Sequence, residues 1–228
     1  MMEVQGKIDS VYCGSGVDGT GLRCVVFFSG CNLRCPFCHN PETLYKEGQA
    51  VSVSDLVNRI KRYKGYFRRG GVTLSGGEPF LQKKFYVELV QQLHLNNIHV
   101  CVETNGHIHD SEMISLADCL ICDIKNQESN NFVPYERLGD VCAKLGKQVR
   151  LTNVLVPGKN DSREKIKLLA DLVKKYFHQT AIHFLPFRSL CQEKYRALGK
   201  EFLYSDIQDA QPDDVKNAEI IFQDCINC

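Results

Sequence analysis

Arg23-Cys-Val-Val-Phe-Phe-Ser-Gly-Cys31-Asn-Leu-Arg-Cys35-Pro-Phe-Cys38 joins an apolar, β-branched run to three thiols within eight residues. A short, continuously apolar run such as Arg23–Ser29 suits a strand covered on both faces, as in a parallel sheet. Five more runs of this kind follow: Gly71–Ser75, Ile98–Glu103, Cys119–Lys125, Val149–Val156 and Ala181–Leu185. Helical patterns lie between them. Ser52 and Asp55 form a capping pair ahead of Leu56, Ile60 and Tyr63, and Asp161 with Glu164 caps a second helix carrying Ile166, Leu169, Val173 and Tyr176 on one face. Repeated strand–helix alternation reads as an α/β fold. Six such units are too few for a closed eight-stranded barrel, so a partial (β/α)6 barrel is expected. No repeat, low-complexity stretch or linker divides the chain, and residues 1–228 read as a single domain. In such sheets, sites gather at the carboxyl ends of the strands.

Composition excludes several classes. The 228 residues are 43% apolar and 24% charged, as in a soluble enzyme and unlike a disordered chain. Lys plus Arg is 28 against 27 Asp plus Glu, so no global field exists to hold nucleic acid or an anionic membrane. No run approaches the ~18 apolar residues of a membrane span, and MMEVQGKIDS lacks the apolar core of a signal peptide. A cytoplasmic protein is expected. The 12 cysteines are many for this size. In a reducing compartment they read as metal ligands or small hydrophobes before disulfides.

Cys31, Cys35 and Cys38 sit on a loop punctuated by Gly30 and Pro36, directly after the first strand. Soft thiolates favour zinc or iron–sulfur. Structural zinc takes four closed ligands, usually from two separated pairs. Here there are three, and His39 adjoins Cys38 too closely to wrap back well. A four-iron cluster on three cysteines leaves one iron open and fits better; a Cys3His zinc site is the alternative.

The spacing Cys31-x3-Cys35-x2-Cys38 is similar to the signature of the radical S-adenosylmethionine superfamily. The flanking motifs narrow the resemblance to its glycyl-radical-enzyme activases, of the pyruvate formate-lyase activating type. They are Gly16-Val-Asp-Gly-Thr-Gly-Leu-Arg23, Cys38-His-Asn40, Ser75-Gly-Gly-Glu-Pro79, Glu103-Thr-Asn-Gly106, Asp123-Ile-Lys125, Val156-Pro-Gly158 and Leu185-Pro186. They run in family order over nearly the whole chain, and the ordered set is specific where each motif alone is weak.

The resemblance implies a partial barrel of the radical S-adenosylmethionine type and an oxidoreductase. Cys31, Cys35 and Cys38 would hold a [4Fe-4S] cluster whose open iron chelates the methionine end of S-adenosylmethionine. Reductive cleavage would give methionine and a 5′-deoxyadenosyl radical that takes a hydrogen from a glycine of a partner glycyl-radical enzyme. A flavodoxin- or ferredoxin-type donor would supply the electron, and a monomer is expected. Phe37 looks like the aromatic near the adenine, with a core aromatic as the plain reading. Gly76 and Gly77 would bring backbone to the methionine amino group beside Glu78, so a side chain at Gly77 should block the ligand and leave the iron content normal. Thr104, Asn105 and Lys125 would meet ribose and carboxylate. Glu103, Asp123 and Thr104 resemble a monovalent-cation site, although Glu103 is one methylene longer than the usual Asp. Asp18 and Arg23 would orient the partner's glycine loop, a structural turn with a surface pair being the plain alternative.

Four departures stand out. Thr152 replaces a frequent Arg, with Arg150 on the same strand face. Arg188 stands where a His is common, which affects its expected ligand contact. Residues Asn126–Gly146 form a short segment without the usual threonine–glycine element. No second cysteine-rich insert lies between His39 and Gly71, so the type without ferredoxin insert is favoured. The other nine cysteines, Cys13, Cys24, Cys101, Cys119, Cys122, Cys142, Cys191, Cys225 and Cys228, read as small hydrophobes, with Cys225-x2-Cys228 an incidental pair. The competing functions are a small-molecule radical enzyme, such as a deazapurine ring-forming synthase, and a zinc-binding interaction module.

Overall fold

Residues 3–227 are described by the computed structural model. Cys228, half of the terminal cysteine pair, lies outside the described residues. The chain builds two compact units, each from discontinuous stretches. The first takes residues up to 34, 40–104 and 110–120; the second takes 35–39, 105–109 and those from 121 onward.

In the first unit, β1 (Gln5–Ser15) pairs antiparallel with β2 (Arg23–Phe28). A short helix, α1 (Glu42–Tyr45), leads to β3 (Gln49–Ser52), which pairs with the other side of β1. Helix α2 (Val53–Lys61) precedes β4 (Gly71–Gly76), parallel to β2. After a 3-10 turn over Pro79–Gln82 come α3 (Lys83–Leu95), β5 (Val100–Thr104), parallel to β4, and α4 (Ser111–Leu116). The strand order is β3-β1-β2-β4-β5. Its middle is dry: all of β2 but Phe27 and all of β4 but Gly76 are buried. The Ser52 Oγ accepts from the Asp55 amide at 3.1 Å, which starts α2 as the capping pattern predicts. Val53, Leu56, Val57 and Ile60 then face the core. The helix stops at Lys61, so Tyr63 falls outside it and is exposed.

In the second unit, β6 (Cys119–Asp123), which begins in the first, continues through α5 (Val133–Leu145), β7 (Val149–Leu155), α6 (Arg163–Tyr176), β8 (His183–Pro186), α7 (Gln192–Ala197) and α8 (Pro212–Asn227). The order is β6-β7-β8, with β7 and β8 parallel. Helix α8 lays Phe222 edge-on against Phe184 of β8, centroids 5.9 Å apart. The cap of α6 is Ser162, whose Oγ accepts from the Lys165 amide, one residue later than expected. Asp161 is instead occupied by the Gly158 amide at 2.9 Å. Glu164 keeps its place in the first turn.

Three buried asparagines bind the ends of β6 and β7. Asn153 Nδ2 donates to the Ile124 carbonyl (2.6 Å) and to Asn126 Oδ1 (2.9 Å). Asn160 Nδ2 donates to Asn126 Oδ1 and Asn153 Oδ1, both at 3.0 Å. Asn153→Leu strands polar groups in a dry core, so the full chain should lose about 2–4 kcal/mol in urea unfolding. A loss below about 0.5 kcal/mol, the scale of a neutral surface change, would exclude this role for the network.

The cysteine expectations divide. Cys101, Cys122, Cys142 and Cys191 are buried, and Cys119 and Cys225 are half-buried. Cys13 and Cys24 correct the expectation: they face each other in the β1–β2 register and are joined in a disulfide. Direct cross-strand placement brings the two side chains together, which sequence spacing cannot reveal. Among the described residues, no helix is long and apolar enough to cross a membrane.

Candidate cofactor site

In the first unit the expected site residues gather where β2, β4 and β5 end. The Gly30 amide donates to the Thr43 carbonyl at 2.8 Å, and Gly30 itself has φ +90°, which turns the chain into Cys31. The Gly77 amide donates to the Phe28 carbonyl and the Glu78 amide to the Gly30 carbonyl, both at 2.8 Å. The glycine turn is thus riveted to the backbone that carries Cys31, and with these two donors engaged it would meet an ammonium through carbonyl oxygens. A Cβ on Gly77 would lie 2.0 Å from the Gly30 oxygen, so its bare α-carbon serves strand-end packing. Glu78 is fully buried; its carboxylate accepts from Thr104 Oγ1 (3.0 Å to each oxygen) and from the Phe80 amide. Ser75 Oγ donates to Glu103 at 2.5 Å. Three of the expected residues, Glu78, Thr104 and Glu103, therefore form with Ser75 two ties across the ends of β4 and β5. The Cys31 thiol lies 3.4 Å from the Leu33 amide and 3.8 Å from Asn32 Oδ1.

Asp18 and Arg23 lie elsewhere. Arg23 is the first residue of β2, five residues and so roughly 16 Å of strand from Phe28. It is 1% exposed, and its guanidinium donates to Thr73 Oγ1 (3.0 Å) and the Val72 carbonyl and meets His99 Nδ1 at 3.3 Å. Burial lowers its pKa against the opposing charges of Cys101, Cys119, Asp118 and Asp18. Asp18 accepts from Ser15 Oγ, and its carbonyl accepts from Thr73 Oγ1 at 2.6 Å. The surface-pair reading fails: Arg23 is a buried post under the glycine loop.

In the second unit the segment 35–39 meets the ends of β6 and β8. The Cys38 amide donates to the Cys35 carbonyl at 3.2 Å, closing the turn between the thiols. Phe37 is buried, stacks on Tyr204 (5.8 Å, 23°) and belongs to a core with Val156, Phe187 and Phe202. The Lys125 ammonium stands 5.2 Å over its ring. Lys125 also pairs with Asp123. Burial alone would lower its pKa, but Asp123 and the Cys35 and Cys38 thiols together raise it. The His39 ring donates from Nε2 to the Arg188 carbonyl at 2.8 Å, and burial, with Lys194 and Lys125 near, lowers its pKa. The Arg188 guanidinium is taken by the Ala210 carbonyl at 3.0 Å, with Asp209 at 3.9 Å. Asn105 is buried and caps the His107 amide. Arg150 is exposed at the start of β7, whereas Thr152 is buried.

Two groups were not anticipated. Lys125 donates its amide to the Tyr135 hydroxyl at 2.8 Å. Asn126, directly after it, keeps a buried Nδ2 without a hydrogen-bond partner, and Asp123 keeps a buried Oδ1 in the same state. Adjacency to Asp123-Ile-Lys125 is the one signal that points to Asn126. An orphaned donor and acceptor flanking a lysine suit a polar zwitterionic ligand, and thiols suit an iron–sulfur group. Among the described residues, no three His, Cys, Asp or Glu side chains are grouped to hold a metal ion.

A model of the Radical SAM superfamily matches residues 25–123. The pyruvate formate-lyase-activating enzyme of Clostridium pasteurianum is 33% identical over 218 residues, covering 90% of this chain and 92% of its own. The chain belongs to the radical SAM superfamily, as a relative of the pyruvate formate-lyase-activating enzymes and similar glycyl-radical-enzyme activases. The corresponding Staphylococcus epidermidis enzyme is 32% identical, covering 94% of each chain. Solved structures share the fold. A radical SAM methyltransferase from Sphaerobacter thermophilus superposes with TM-score 0.61 at 17% identity, over 89% of this chain and 64% of that one. SuiB of Streptococcus suis, bound to its precursor peptide, gives 0.53 at 20% identity over 67% of this chain and 36% of that one. The fold is mixed α/β, its parallel and antiparallel strands flanked by helices, consistent with a partial radical SAM barrel. The six expected strands all form, and β1 and β3 are additions.

Proposed function

We propose that this radical SAM protein is a glycyl-radical-enzyme activase that makes a glycine-centred radical on a partner, pyruvate formate-lyase or a relative. The observation that carries the reading is the placing of Lys125 against Asp123, the Phe37 ring and the charges of Cys35 and Cys38. Full-length likeness to activating enzymes supports it. Cys31, Cys35 and Cys38 would hold a [4Fe-4S] cluster. When bound, that cluster supplies one electron for cleavage of S-adenosylmethionine into methionine and a 5′-deoxyadenosyl radical.

The chain's own residues bind, orient and exclude water. Lys125 offers a point charge to the ligand carboxylate, and Asn126 and Asp123 offer a buried donor and acceptor beside it. Carbonyls of the Gly76–Gly77 turn accept from its ammonium. Phe37 gives the adenine an apolar neighbour, and Asn105 and Arg188 would add polar contacts to the ligand. Glu78, Thr104 and Glu103 act by fixing strand ends, and Asp123 Oδ1 is the oxygen available to a monovalent cation. We read residues 1–228 as one catalytic core, cytoplasmic and monomeric, served by a flavodoxin- or ferredoxin-type donor.

The test is anaerobic incubation with dithionite, S-adenosylmethionine and a pyruvate formate-lyase deuterated at its glycine α-carbon. A glycyl signal by electron paramagnetic resonance and deuterium in 5′-deoxyadenosine are expected. Label left in the glycine while a small metabolite is consumed would replace the activase reading with a small-molecule radical enzyme.

A further inference from the structure

At the starts of its strands, away from Cys31, the first unit holds a second pair of thiols. Cys101 is the second residue of β5 and Cys119 the first of β6, strands that are neighbours. Their side chains are hydrogen-bonded to each other, and neither is in a disulfide. Cys101 is 1% exposed, whereas Cys119 is only half-buried. The buried Arg23 guanidinium lies beside them: a Cβ on Gly19 would stand 3.3 Å from Arg23 Nε and 3.6 Å from Cys101 Sγ. Arg23 donates to neutral groups, and Cys101, Cys119, Asp118 and Asp18 lie near enough to act on its charge.

We propose that Cys119 and Cys101 are a reversible, peroxide-reactive dithiol, with Cys119 the attacking sulfur and Cys101 the resolving one. The arrangement has the three parts such chemistry needs: a part-exposed sulfur, a second sulfur in contact with it, and a fixed cation that favours thiolate. The hydrogen bond to Cys119, with burial, pushes the Cys101 thiol far up, which suits it to the slower, resolving role. The Cys119 thiolate attacks one oxygen of hydrogen peroxide, the O–O bond breaks, and hydroxide leaves to be protonated to water. Cys101 sulfur then attacks the Cys119 sulfenic acid, its proton leaves with the hydroxyl as a second water, and the S–S bond forms. Two electrons pass from the two thiols to one peroxide. A dithiol reductant restores the pair by exchange.

The holoprotein is treated anaerobically with a few equivalents of hydrogen peroxide, alkylated, cut at Glu103 and Glu112 and read by mass spectrometry. Cys142 is the internal reference, since burial pushes its thiol up to about 11. Cys119 should be consumed at least about tenfold faster than Cys142, giving a Cys101–Cys119 link that dithiothreitol reverses. In Cys101→Ser, Cys119 should stop at a sulfenic acid trapped by a dione probe; in Cys119→Ser, Cys101 should stay reduced. A Cys119 no faster than Cys142, or oxidised without the link in the unmodified protein, overturns the proposal. These readouts do not depend on whether a glycyl radical is made.

Discussion

Cys35→Ala should reduce 5′-deoxyadenosine formation from S-adenosylmethionine to background, with iron and sulfide per chain falling in parallel. Cys35 and Cys38 flank a single closed turn, and both bear on Lys125, so losing one thiol removes a ligand and weakens the electrostatic hold on the lysine. Two thiolates cannot keep three irons anchored and leave a fourth open. Cys225→Ala is the matched control: this half-buried cysteine lies on the C-terminal helix α8 and should leave both readouts near normal. Full cleavage activity in the Cys35→Ala protein would remove the cluster assignment.

The second large effect is expected at Gly77, where the structure reverses the order of events read from sequence. A valine Cβ there meets the Gly30 carbonyl oxygen at 2.0 Å before it meets any ligand. The Gly30 oxygen is backbone and is held by the Glu78 amide, so it cannot swing aside as a side chain would. One strand end must move, the Glu78 bond breaks, and Cys31 moves with Gly30. Gly77→Val should therefore cost about 1–3 kcal/mol of stability through overpacking and lower the iron content as well as ligand binding. Normal iron with weakened S-adenosylmethionine binding would restore the direct role. Unchanged iron, binding and stability would mean that the turn relaxes freely.

What the sequence discloses here follows from how each element is stabilised. Short apolar runs advertise strands, and all six expected ones form, although β8 fully buries only Phe184. The strand β1 is different: its residues alternate between inward and outward positions, and Gly6, Asp9, Ser10 and Gly14 break any apolar signal. β3 has four residues, and its last, Ser52, doubles as a helix cap. At the site, the cysteine spacing and the Asp123-Ile-Lys125 motif are local and legible. Arg23 is not, because an arginine reads as surface unless its buried acceptors, the Val72 carbonyl and the Thr73 hydroxyl, are seen across the sheet. Asn153 and Asn160 carry no local mark either; their value comes from meeting Asn126, which is a tertiary fact.

The outer border of the first unit's sheet has a bearing on how copies of the protein treat one another in concentrated solution. β3 covers β1 from Gln5 to Ile8, and among the described residues no strand pairs with the rest of β1 on that side. A long bare border of this kind is a template for a neighbouring chain. Here the border is broken twice, by shifts in register between Ile8 and Ser10 and between Cys13 and Ser15. Gly14, at φ +124°, bends the second of these. Such kinks twist a strand and interrupt the even succession of donors and acceptors that another chain would have to match. The irregularity that hides β1 from a sequence pattern thus also works against edge-to-edge aggregation.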